Sequence, residues 1–173
     1  VKVDPLTVTV VSLSSLSIFL IPLIAMLLSY DSLIGEIERG TMALLLSYPV
    51  SRNQILAGKF IGHLIILALA TTAGYGIAGI TLQLANGSFD IAAWKPFALL
   101  IAASVILGAA FLSMGYLISA KVKERGTAAG IAIGVWLFFV VIFDMALLGI
   151  LVADTQQAIT APVVETVLLF NPT

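Results

Sequence analysis

The chain has 173 residues, 61% of them hydrophobic and 10% charged, with a formal net charge of -1 and a mean hydropathy of +1.17. A soluble domain carries about a quarter charged residues, so this composition excludes a water-covered globule and indicates an integral membrane protein. The charge balance gives no support for a nucleic-acid partner, and the absence of cysteine excludes disulfides, thiolate metal sites and cysteine nucleophiles.

A helix needs about 20 apolar residues to cross roughly 30 Å of hydrocarbon. The first such stretch covers about 8–28 and contains Pro22. A segment with a different pattern follows, 30–54, where charge interrupts the apolar sequence. Asp31 and Ser32 stand where a new helix would be capped. Glu36 and Glu38 would then lie near that helix's positive end, where carboxylates are favoured. Gly40 predicts a break, and Thr41 a cap for a second short helix over Met42–Ser47. That piece is apolar around Leu45 but too short to span, so it must dock on the membrane surface or on another protein. Pro49 ends it, and Ser51-Arg52-Asn53-Gln54 reads as a capping box opening the next span. The order of helix, bend, short helix, stop and capped start predicts a rigid elbow. The plainer alternative is a capped helical hairpin whose charges are merely solvated.

The second span covers about 55–84, the third 97–119 and the fourth 127–152. Small residues are dense in the second and fourth, including Gly62, Gly74, Gly76, Gly79, Gly130 and Gly134, and Gly126-x-x-x-Gly130 fits a small-xxx-small spacing. In lipid, such residues let helix backbones approach closely, so both spans are expected to pack against other helices. Arg39, Arg52, Lys59, Lys121, Lys123 and Arg125 fall on one side of this topology, six of the eight basic residues. The positive-inside rule places that side in the cytoplasm. Lys121 to Arg125 are a positive anchor or a second cytoplasmic contact. Trp94 suits the outer interface, and 155–170 suits a short helix on the outer surface. Asp144 is the one acid within an apolar span, a functional candidate by default, with a structural hydrogen bond or an interfacial position as the alternative. His63, the only histidine, lies near the inner interface.

The string Glu36-x-Glu38-Arg39-Gly40-Thr41, followed by Leu44-Leu45-Leu46-Ser47-x-Pro49-Val50-Ser51-Arg52, resembles the segment between the second and third spans of ABC-2-type transporter permeases. The resemblance extends over the whole chain. Within the family, 30–63 is most similar to permeases of the transporter that serves nitrous oxide reductase maturation and its copper-site assembly. It implies a polytopic all-α bundle with six spans, of which this single transmembrane domain over 1–173 would hold the second to fifth. It also implies a homodimer of permeases in the bacterial inner membrane with a dimer of cytoplasmic ATPase subunits. A periplasmic copper-handling accessory protein is a further implied partner. Asp31, Glu36, Glu38, Arg39, Gly40, Thr41, Leu45, Pro49, Ser51 and Arg52 would form the ATPase-coupling segment.

No phosphate-binding loop of the form Gly-x-x-x-x-Gly-Lys-Ser/Thr occurs, so ATP and Mg are expected on a separate subunit and no cofactor or catalytic group in this chain. One histidine and a glutamate pair do not supply an intramembrane metalloprotease site. Copper(I) favours soft sulfur donors, whereas Met26, Met42, Met114 and Met145 form no sequence cluster. No metal is therefore expected within the spans. Other readings are a generic ABC-2 exporter permease for a small molecule or lipid-linked sugar, a secondary transporter or channel without an ATPase, and a structural anchor.

Overall fold

The computed structural model describes residues 5–86, 94–142, 145–146 and 148–149. Asp144, the proposed outer helix 155–170 and the end of the fourth predicted span lie outside the described residues. The described residues form helices joined by short turns, with four helical segments long and apolar enough to cross a membrane. Helix α1 spans Pro5–Ser29, α2 Ile34–Glu38, α3 Thr41–Leu46, α4 Arg52–Asn86, α5 Trp94–Lys121 and α6 Arg125–Leu137. A π-helical turn, Phe138–Ile142, continues α6.

The bundle is built on α1 against α5, with α4 and α6 on its flanks. Ile21, Ala25 and Met26 of α1 meet Phe111 and Leu112 of α5, with Leu67, Ala132 and Val140 completing the core. Pro22 is wholly buried within α1, and the helix continues through it. Proline lacks the N–H that would bond the preceding turn.

Two glycines of α5 set the distance to its neighbours. A methyl group on Gly115 would overlap the Ser29 side chain and lie 3.5 Å from the Ser29 backbone carbon. A methyl on Gly108 would meet Leu67 at 2.7 Å and Ile21 at 3.2 Å. In the second span, a methyl on Gly79 would meet Trp94 of α5 at 3.2 Å and Phe97 at 3.6 Å, so close approach there is made at this one glycine. By contrast, a methyl group added at Gly62, Gly74, Gly76, Gly126, Gly130 or Gly134 would meet nothing within 4 Å. Ala128 and Ala132 are the small residues by which α6 packs inward.

Polar side chains fasten the helices at depth. Ser17 of α1 contacts the Tyr75 hydroxyl of α4, which lies 3.4 Å from Ser104 of α5. The indole N–H of Trp136 donates to the Phe19 carbonyl of α1 at 3.1 Å. In the π-helical turn, Phe139 packs edge-on against Phe111, with centroids 6.3 Å apart.

Candidate functional site

At the basic end of the bundle, the chain leaves α1 and folds into the elbow. Its first helix begins one or two residues later than the sequence suggests, because neither Asp31 nor Ser32 caps it. Leu33 occupies the cap position and has no side-chain cap bond. Instead, the Ser119 hydroxyl of α5 accepts the Leu33 and Ile34 N–H groups at 3.0 and 3.1 Å. Helix starts leave such donors without internal partners; here a residue from another helix satisfies them. This releases Asp31 and Ser32 for tertiary contacts.

Ser32 donates to the Tyr116 hydroxyl at 3.0 Å, and that hydroxyl lies 2.8 Å from His63 Nδ1. A short polar chain therefore links the elbow to α5 and α4. His63 sits within this hydrogen-bonded cluster and its ring is tilted against Tyr116 at 5.8 Å. Lys59, in the first turns of α4, donates to the Ser32 carbonyl at 2.8 Å and pairs with Glu36 at 2.5 Å. Both side chains of that pair are largely buried, with 24% and 18% of their surface exposed.

Asp31 is the centre of a second cluster. Its carboxylate lies 2.8 Å from Arg125 Nε and 3.7 Å from Arg39 Nη1. Asp31 Oδ1 has no hydrogen-bond partner among the described residues, so charge rather than aligned hydrogen bonding holds the Arg125 contact. The carboxylate rests directly over Gly35, where any side chain would collide with it. Glu38 reaches in the other direction and accepts the Arg125 backbone N–H at 2.7 Å. It thereby occupies the start of α6, where a carboxylate is favoured by the helix dipole. Arg125 is consequently a structural part of the elbow, which sequence reasoning did not identify.

Beyond this base the chain reverses at Gly40, whose φ of +74° lies in the left-handed region that glycine enters without steric cost. Gly40, not Thr41, holds the cap position of α3; Thr41 is its first residue and donates through Oγ1 to the Glu36 carbonyl at 3.3 Å. No residue of α3 is buried. Leu44 and Tyr48 are 65% and 62% exposed, while Leu45 is half-buried. After Pro49, the Ser51 N–H bonds Gln54 Oε1 at 2.8 Å and the Gln54 N–H bonds Ser51 Oγ at 3.3 Å. This reciprocal pair is the capping box expected from the sequence. Between the short helices and the start of α4 lies a groove of about 450 Å³, lined by Ile37, Met42, Leu46, Ile55 and Leu56 together with Arg52.

The structure therefore gathers Asp31, Glu36, Glu38 and Arg39 at the clamped base, places Gly40 and Thr41 at the bend, and leaves Leu45, Pro49, Ser51 and Arg52 on the projecting arm. Ser119, Tyr116, Lys59 and Arg125 are the partners that local sequence rules do not reveal. Among the described residues, no three His, Asp or Glu side chains gather into a metal-ligating group.

The family described as ABC-2 family transporter protein matches residues 4–173. The chain is 46% identical over 166 residues to a protein of Pseudomonas aeruginosa described as a probable ABC transporter permease protein NosY. It is 45% identical over 167 residues to the protein of the same description from Stutzerimonas stutzeri. Each alignment covers 95% of this chain and 60% of the relative, so the chain spans less than two thirds of their length. With the match extending over nearly all of its residues, the chain belongs to the ABC-2 family of transporter proteins.

Proposed function

We propose that this chain is the membrane-embedded part of an ABC transporter permease whose elbow, 30–54, receives movement from a cytoplasmic ATPase subunit. ABC permeases in general work with such a subunit. The observation that carries the reading is the form of the elbow: α3 and the turn after it present exposed Leu44, Leu46 and Tyr48 on a base held by ion pairs to α4 and α6. Apolar side chains left on a short helix favour a protein surface that covers them. A rigid base lets a force applied there move the spans instead of dissipating in a loop. This chain then contributes no catalytic group; ATP and Mg bind the motor subunit.

The similarity to NosY permeases supports a role in nitrous oxide reductase maturation, with an inner-membrane permease pair acting on a periplasmic partner that handles copper. Among the described residues, His63 is engaged by Tyr116, and Met26 lies in the apolar core with Met114 at its margin, which supports a role without copper ligands in this chain. Its contribution is motion rather than ligation, with any copper carried by other proteins.

Affinity purification of the full-length protein from bacterial membranes tests this reading. The expected result is recovery of an ATPase subunit and a periplasmic copper-handling protein. Recovery of an active transporter with neither would refute it.

A further inference from the structure

The elbow is fastened to the two spans it connects, to α5 through Ser119 and Tyr116, and also to the first residue of α6. Asp31 pairs with the Arg125 side chain, and Glu38 holds the Arg125 backbone N–H. These are separate attachments, one from the turn after α1 and one from the last residue of α2. Arg125 thus follows the elbow whether α2 shifts or tilts.

The other end of α6 differs in kind. Trp136 is tied to the Phe19 carbonyl of α1, and immediately afterwards the backbone changes to the π-helical turn Phe138–Ile142. Such turns interrupt the regular hydrogen-bond ladder and are local points of bending in long helices. Near its base, α6 is buried only at Ala128 and Ala132, and its larger inward side chains, Val135 and Trp136, meet the core at its far end. The lower part of the fourth span is therefore gripped at its base, packed through small residues above it and followed by the π-helical turn.

We infer that Arg125–Leu137 is a lever: the elbow drives its base through Asp31 and Glu38, and it pivots about the π-helical turn at 138–142. This rests on the proposed coupling role and deepens it by naming the moving span and its positioning residues. The α1–α5 pair, closely packed at Gly115 and Gly108, is the fixed frame. Movement of α6 against α5 changes the space between the third and fourth spans.

The test uses the full-length protein with its ATPase subunit in lipid nanodiscs, with spin labels placed through cysteine substitutions. Leu117 of α5 and Ile131 of α6 are exposed sites for one label pair, and Leu44 with Leu117 reports the elbow. On ATP binding, both distances are expected to change together. In Arg125→Ala combined with Glu38→Ala, the elbow distance should still change while the α5–α6 change is lost. Arg125→Lys, which retains the charge opposite Asp31, should preserve both. Thermal stability and bound ATPase subunit are measured for every variant, so that misfolding is distinguished from uncoupling. An unchanged α5–α6 shift in the double variant would overturn the lever. So would elbow movement without α6 movement in the unsubstituted protein. No elbow response to ATP in the unsubstituted complex would overturn the coupling role and, with it, the lever.

Discussion

The Gly115→Val substitution is expected to destabilise the bundle by about 3 kcal/mol, at the upper end of overpacking costs. The first added carbon would overlap Ser29, which is wholly buried and bonded to the Ala25 carbonyl at 2.7 Å. Rotation of Ser29 offers no escape, because its Cβ, which rotation leaves in place, lies 2.8 Å from the added carbon. Helix α1 must instead move away from α5, loosening the contact that organises the core. Ala110→Val adds a branched side chain to the same helix at an exposed position, and its cost should stay within about 0.5 kcal/mol. Equilibrium unfolding in mixed detergent micelles measures both. Equal effects would show that helix propensity, not the approach of α1, governs position 115.

Loss of the Lys59 charge is expected to be the more damaging half of a strongly coupled pair. Lys59→Met leaves the Glu36 carboxylate largely buried, with one oxygen already lacking a hydrogen-bond partner among the described residues. Removing one member of a buried pair costs about 3–5 kcal/mol. Here a fifth or so of each side chain reaches solvent, so about 2–3 kcal/mol is expected. Glu36→Gln in the same protein should recover much of the loss, because no unpaired charge then remains. A double-mutant cycle on unfolding free energy reads the coupling directly. Additive effects would mean that Lys59 acts through its bond to the Ser32 carbonyl rather than through Glu36.

What the sequence reveals and what it conceals follow from the distance between partners. Local rules find the capping box at Ser51 and Gln54, because donor and acceptor are three residues apart. They also find the bend at Gly40. The same rules misplace the start of α2. Asp31 and Ser32 have the chemistry of cap residues, but the actual cap is Ser119, which stands 86 residues from Leu33. The start of α6 is likewise held by Glu38, 87 residues from Arg125. No local propensity specifies such exchanges.

The density of glycine misleads for a related reason. Counting small residues points to α4 and α6, whereas packing depends on which face they occupy. Ser104, Gly108, Gly115 and Ser119 recur at helical spacing on the buried face of α5. That periodicity is the sequence signal for the α1–α5 contact, and it is carried by fewer residues than the more abundant glycines elsewhere.

The coupling role depends on the projecting arm of the elbow, and affinity for the ATPase subunit tests it most directly. The full-length protein in nanodiscs is titrated with purified ATPase subunit, alongside the Leu44→Asp variant. Leu44 is exposed and supports no buried contact in α3, so the variant should fold normally. A carboxylate forced into a covered apolar contact should weaken binding more than about tenfold, the scale of an interface hot spot. Identical affinity for the two proteins would contradict docking through α3.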